Sequence, residues 1–192
     1  MRTRRIFIAA DISRDVRRLV ANYVSDLRLR FPDVRVRWEA PEKLHFTLKF
    51  LGATDEAMVS RVEDAISSVV PRYGSFTADL SDTGAFPNAR EPRILWLGIG
   101  EGETAMVSLA KDIESALGQQ GFAKEARAFS PHLTIGRIRE PKRARALVGA
   151  HLGSAIPPAP FTVDHVTLYE SILHPSGSSY NVISEHQLGG VR

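Results

Sequence analysis

Two stretches of this 192-residue chain, PEKLHFTLK at 41–49 and SPHLTIGR at 130–137, share one core: histidine, apolar residue, threonine, apolar residue. Side chains alternate along a strand, so His45 and Thr47 share one face while Phe46, Leu48 and Phe50 share the other. His132 and Thr134 repeat the arrangement, with Leu133 and Ile135 directed inward. Near neutral pH one imidazole takes a proton and another gives one, so a facing pair can act as base and acid in a displacement at phosphorus. Each threonine hydroxyl, two residues on, can hydrogen-bond a non-bridging phosphoryl oxygen where charge builds. This chemistry needs no metal. The pattern also suits a metal poorly, because H-x-T lacks a second ligand at zinc-site spacing and no carboxylate cluster accompanies it.

Random placement of six His and nine Thr predicts about 0.3 H-x-T triplets in a chain of this length. The chain has three. The first two lie 87 residues apart, a separation that fits equivalent places in two lobes, and each has a proline upstream (Pro41, Pro131) and a base downstream (Lys49, Arg137). The third, His165 with Thr167, follows only 33 residues after His132 and lies between Asp164 and Glu170, an acidic setting ill suited to an anionic substrate. His165 is therefore expected to be a surface or packing histidine.

The rest of the composition sets bounds. With no Cys, disulfides, thiolate metal sites and thiol nucleophiles are all excluded. The net charge is +3 and the bases are mostly arginine, 20 against 5 lysines, which permits a phosphate-bearing partner without requiring one. The apolar run near the N-terminus ends at Asp11, short of a signal-peptide core, and no stretch approaches a membrane span. The expectation is a cytoplasmic monomer.

The elements that must position these residues read as follows. A buried strand at 5–12 leads into a helix at 13–30, where Val16, Leu19, Val20, Tyr23, Val24 and Leu27 fall at helical spacing and Ser13 is the N-cap. Strands are expected at 35–38 and 44–51, a helix from about 55 to 70, a strand at 76–80, and a Gly/Pro-bearing loop at 83–93 before a strand at 94–99. A helix at 104–119, the second H-x-T strand, a short helix at 142–150, the Pro-rich loop at 157–160 and strands at 161–170 and 179–186 complete the chain. Interleaved strands and helices give an α/β or α+β layered fold.

The motifs and their framing, RxFIA at 5–9, Trp38 before HFTLKFLG, FP at 86–87, PRILW at 92–96, RAFSPHLTIGR at 127–137 and the closing Ser171, Gly177 and Tyr180, resemble the 2H phosphoesterase superfamily. Within it they are similar to the prokaryotic RNA 2′,3′-cyclic phosphodiesterases, also called 2′,5′ RNA ligases; Ser13 stands where a proline is common. The resemblance implies one bilobal α+β domain over 1–192, with two pseudo-symmetric lobes placing antiparallel sheets around a central cleft and helices outside. It implies cofactor-free hydrolysis of RNA 2′,3′-cyclic phosphate ends to 2′-phosphomonoesters, with reversible 2′,5′ ligation as a secondary activity. Other readings are a phosphoesterase for another cyclic or linear nucleotide, or a non-catalytic RNA-end binding module. His45 would protonate the departing 3′ oxygen, His132 would activate water, and Thr47 and Thr134 would hold phosphoryl oxygens. Arg137 resembles a basic residue of the second motif; at i+5 from His132 a regular strand turns it away, unless a bulge near Gly136 redirects it. Lys49 on the His45 face would add charge to the cleft, Tyr180, Phe86 and Trp38 could stack on a base, and Arg90 and Arg93 could hold a longer RNA.

Overall fold

The computed structural model describes residues 2–175 and 177–189. In chain order the elements are β1 (Thr3–Asp11), α1 (Arg14–Arg30), β2 (Val36–Trp38), β3 (His45–Asp55), α2 (Val59–Val69), β4 (Phe76–Ala78), β5 (Leu80–Phe86) and β6 (Ile94–Ile99). They continue with α3 (Glu103–Gln119), β7 (Leu133–Ile138), α4 (Arg145–Leu152), β8 (Phe161–Val163), β9 (His165–His174) and β10 (Gly177–Gln187). The fold is α+β. An antiparallel sheet runs β10-β9-β1-β3-β7-β6-β5, with β2 paired to β7, and β4 and β8 form a separate two-stranded sheet.

The helices cover one face of the large sheet. Alternate residues Ile6, Ile8 and Ala10 of β1 and Phe46 and Leu48 of β3 join Val20 of α1, Ile66 of α2 and Ile113 of α3 in one apolar core. Helix α1 starts where expected, with Ser13 Oγ accepting from the Val16 N–H at 3.3 Å, an orphan donor of the first turn. The same β1 and β3 strands present their other face to a cleft, so each strand is buried on one side and carries polar residues on the other.

Two expectations about elements are corrected. The first half of the 83–93 loop belongs to β5, which pairs with β6 through Gly84, Ala85 and Phe86. Gly84 marks close packing and not a turn: a Cβ there would lie 2.0 Å from the Trp96 indole. The single strand at 161–170 is two, broken at Asp164, because β8 pairs with β4 while β9 pairs with β1 and β10.

The junction of the large sheet bears on the site. β3 and β7 pair through Phe46 and Leu133 alone, joining a β10-β9-β1-β3 half to a β7-β6-β5 half that also carries β2. Pairing is thus one continuous path and not two separate sheets. Phe46 directly follows His45 and Leu133 directly follows His132. The antiparallel register set by that pair aligns His45 with Thr134 and Thr47 with His132, so both H-x-T motifs meet about one point.

Candidate active site

A cleft of about 350 Å³ lies over this junction, and its lining includes His45, Thr47, His132 and Thr134. The two histidines are held alike. His45 Nδ1 lies 2.7 Å from the Lys43 carbonyl oxygen and His132 Nδ1 lies 2.8 Å from that of Ser130, each carbonyl two residues upstream. A carbonyl can only accept, so both rings carry their proton on Nδ1 and present Nε2 as the exchanging nitrogen. His45 Nε2 sits 3.0 Å from Thr47 Oγ1, which therefore donates to it.

Aromatic rings fix both imidazoles. His45 stacks on Phe7 at 4.8 Å with Tyr180 edge-on at 5.5 Å; His132 has Phe86 edge-on at 4.9 Å and Trp96 at 6.5 Å. Burial pushes the His45 imidazolium down to about 4, against smaller upward contributions from the Lys43 carbonyl and Asp11, and the positive charge of Arg17 adds a little to the lowering. His45 is therefore neutral at pH 7. Behind it, Asp11 is its cross-strand partner and accepts from Thr167 at 2.9 Å, Tyr169 at 2.9 Å and Arg17 at 3.4 Å. Burial alone would raise the Asp11 carboxyl, but the His165 ring 3.6 Å away and the hydrogen bonds from Thr167 and Tyr169 hold it below its usual range.

Sequence position and spatial position part company at three residues. Against a regular period of two, β3 carries extra residues at Leu48 and Leu51, since Ala9 pairs with Thr47 but Ile8 with Lys49, and Phe7 with Phe50 but Ile6 with Gly52. Lys49 is therefore not a cleft residue: its ammonium is buried on the helix side, 3.0 Å from Glu114 Oε2 and 3.0 Å from the Ala123 carbonyl. Phe50, expected on the core face, lines the cleft instead. A third extra residue at Ile135, where Leu95 pairs with Gly136 but Trp96 with Thr134, turns Arg137 into the cleft wall, 3.3 Å from Glu39 Oε1. The redirection arises one residue before Gly136, whose missing side chain makes room for Val36 and Trp38 of β2.

Tyr180 lines the cleft, whereas Phe86 buttresses His132 and Trp96 without lining it, and Trp38 packs against Gly136. Arg90 and Arg93 lie outside the lining residues. The sequence reading passed over Arg5, Phe7, Arg37 and Glu39, which do line the cleft. The alternation of Arg5 and Phe7 along β1 was the available signal, hidden inside a run read as wholly buried. Among the described residues no three His, Cys, Asp or Glu side chains gather to hold a metal ion, and no helix is long and apolar enough to cross a membrane.

The family model of the 2′-5′ RNA ligase superfamily matches residues 12–174. A protein of Thermotoga maritima named RNA 2′,3′-cyclic phosphodiesterase is 31% identical over 97% of this chain and 96% of its own length. One of the same name from Methanothermobacter thermautotrophicus is 33% identical over 92% of this chain and 94% of its own. Among solved structures, E. coli LigT in complex with 3′-AMP superposes with a TM-score of 0.72 at 26% identity, covering 97% of this chain and 99% of LigT. A Thermus thermophilus protein superposes at 0.80 with 23% identity, over 98% of this chain and 100% of its own, a likeness of fold.

Proposed function

This chain belongs to the 2′-5′ RNA ligase superfamily, and from that premise we propose that it hydrolyses RNA 2′,3′-cyclic phosphate ends to 2′-phosphomonoesters without a metal. One observation carries the reading. Two histidines, each held at Nδ1 by a backbone carbonyl and so primed at Nε2, flank one cleft over the Phe46–Leu133 junction. A non-catalytic binding module would not need both rings fixed in the same tautomer.

In the proposed reaction a water attacks the cyclic phosphorus opposite the 3′ oxygen. His132 Nε2 accepts the proton from that water as the new P–O bond forms. The P–O3′ bond breaks, and His45 Nε2–H gives its proton to the leaving oxygen, so the products are a 2′-phosphate and a free 3′-hydroxyl. Thr47 and Thr134 donate to the two non-bridging oxygens, whose charge rises in the transition state, and the Arg137 guanidinium supplies positive charge at the cleft wall. With an RNA 5′-hydroxyl in place of water as the nucleophile, the same forward step breaks P–O3′ and forms a 2′,5′ linkage, and its reverse, attack by the 3′-hydroxyl with the 5′ oxygen leaving, re-forms the cyclic phosphate.

The test is product analysis on a short RNA ending in a 2′,3′-cyclic phosphate, in excess EDTA. The expected product is the 2′-phosphomonoester. His45→Ala or His132→Ala should each lower turnover by about 10²- to 10⁴-fold, and the double variant should be little worse, because the pair acts as a unit. Activity lost in EDTA and restored by a divalent ion would sink the metal-free reading; a 3′-phosphate product would reverse the leaving group.

A further inference from the structure

The cleft continues past the histidines along β1, where Arg5 and Phe7 face it two positions, about 7 Å, apart. Phe7 stacks on His45 at 4.8 Å and on Phe50 at 6.5 Å, and the Arg5 guanidinium lies 4.8 Å from the Phe50 ring centre. Outward from the reacting imidazole the floor therefore runs ring, ring, guanidinium. Phe50 is 44% exposed, although Phe46 and Leu48 of the same strand are buried, and it owes its place to the extra residue at Leu48. A single exposed phenylalanine is ordinary on a protein surface. This one stands in a charged cleft, beside an arginine that forms no ion pair among the described residues, and Arg37 on the facing wall forms none either. Arg137, by contrast, pairs with Glu39.

An aromatic face next to uncompensated guanidinium is the chemistry that holds single-stranded nucleic acid: the ring stacks on a base and the cation meets the backbone. We infer that Phe50 and Arg5 form a subsite for the nucleotide preceding the cyclic-phosphate end. Phe50 stacks its base, and Arg5 meets the phosphodiester joining it to the terminal nucleotide. The inference rests on the proposed hydrolysis at His45 and His132. A nucleoside 2′,3′-cyclic phosphate has neither the second base nor the second phosphate, so the subsite makes the chain select RNA over the free nucleotide.

The readout is the ratio of kcat/KM for a trinucleotide ending in a 2′,3′-cyclic phosphate to that for the matching nucleoside 2′,3′-cyclic phosphate. Wild type should favour the trinucleotide by about tenfold or more, the range that one stacked base supports. Phe50→Ala should bring the ratio close to one, chiefly by loss on the trinucleotide, whereas Phe50→Tyr keeps the aromatic face and should keep the ratio. Should Phe50→Ala not fold, Phe50→Leu has similar bulk with no ring and makes the same test. Arg5→Ala should lower the ratio and flatten its dependence on salt. Equal wild-type rates on both substrates overturn the inference, as does an equal loss on both in the variants, which would make Phe50 and Arg5 mere supports for His45. An effect confined to ligation would place the subsite on the 5′-hydroxyl strand and overturn it too. If wild type hydrolyses neither substrate, it is the functional reading that fails, and the outcomes stay distinct.

Discussion

At the scale of single residues, the two histidines are alike in their anchors but not in their surroundings. His45 packs against Phe7, Tyr169 and Tyr180, and burial takes its imidazolium down to about 4. To act as the acid it must carry a proton that its burial disfavours, and an anionic phosphate beside Nε2 is the group that returns it. Binding of a nucleoside 2′-phosphate at pH 7 should therefore take up a proton, measurable by calorimetry in buffers of different ionisation enthalpy. Binding without uptake would exchange the roles of His45 and His132. The Thr47 hydroxyl, which donates to His45 Nε2, must turn to the phosphate when substrate enters. Thr47→Val removes that donor at nearly constant shape and should cut kcat by about 10²-fold, with much less change in KM, as for other groups whose contacts strengthen in the transition state. A loss confined to KM would make it a ground-state contact.

At the scale of elements, strands and helices were legible in the sequence wherever a period held long enough to mark one buried face. The helical spacing at 16–27 holds to its end and gave α1, and the alternation from His45 to Leu48 was enough to give β3, although that strand's period shifts at Leu48 and again at Leu51. What escaped were irregularities that leave no mark on composition. The extra residues at Leu48, Leu51 and Ile135 reverse which side chains face the cleft beyond them, sending Lys49 to the core, and Phe50 and Arg137 to the site. Gly84 read as a turn because nothing in the sequence says that an indole will lie on it. The four H-x-T side chains were readable because they precede any bulge. Lys49 offers a test of this parity: its buried ammonium serves Glu114, Glu125 and the Ala123 carbonyl, tying β3 to α3 and the segment after it. Lys49→Ala should cost about 2 to 3 kcal/mol of stability, since it leaves a carbonyl and a half-buried carboxylate without their partner. Chemical denaturation measures the loss, and kcat of the folded variant should match wild type. A fall in kcat with unchanged stability would return Lys49 to the cleft.

Across the whole molecule, the third H-x-T strand is the backing of the first. His165 and Thr167 of β9 reach Asp11 at the end of β1, which faces His45 on β3 and holds Arg17 of α1, so one carboxylate joins four elements behind the reacting ring. The Asp11 carboxylate, 3.6 Å from its Nε2, with Asp164 adding to it, raises His165 to about 9 against an ordinary 6.5. A raised base stabilises the fold fully below about pH 6.5, and that contribution is lost as pH rises through about 9. His45 has the opposite sign: between about 6.5 and 4 the unfolded chain binds a proton that the folded one refuses, so stability falls as pH drops. His151 and His186, both pushed down by burial, add to that acid limb, and Asp11, whose contribution is complete only above its ordinary value of 3.8, loses it as the pH falls from there through its depressed value. Stability should therefore peak near pH 6.5 and decline on both sides. Urea midpoints across pH 4 to 10 would show it, and each limb has its own variant. His165→Gln should flatten the decline between about 6.5 and 9. His45→Gln should reduce the acid limb without abolishing it. If the alkaline decline persisted unchanged in His165→Gln, the charge on His165 would not be what binds β9 to β1, and Thr167 and Tyr169 would hold Asp11 as neutral donors alone.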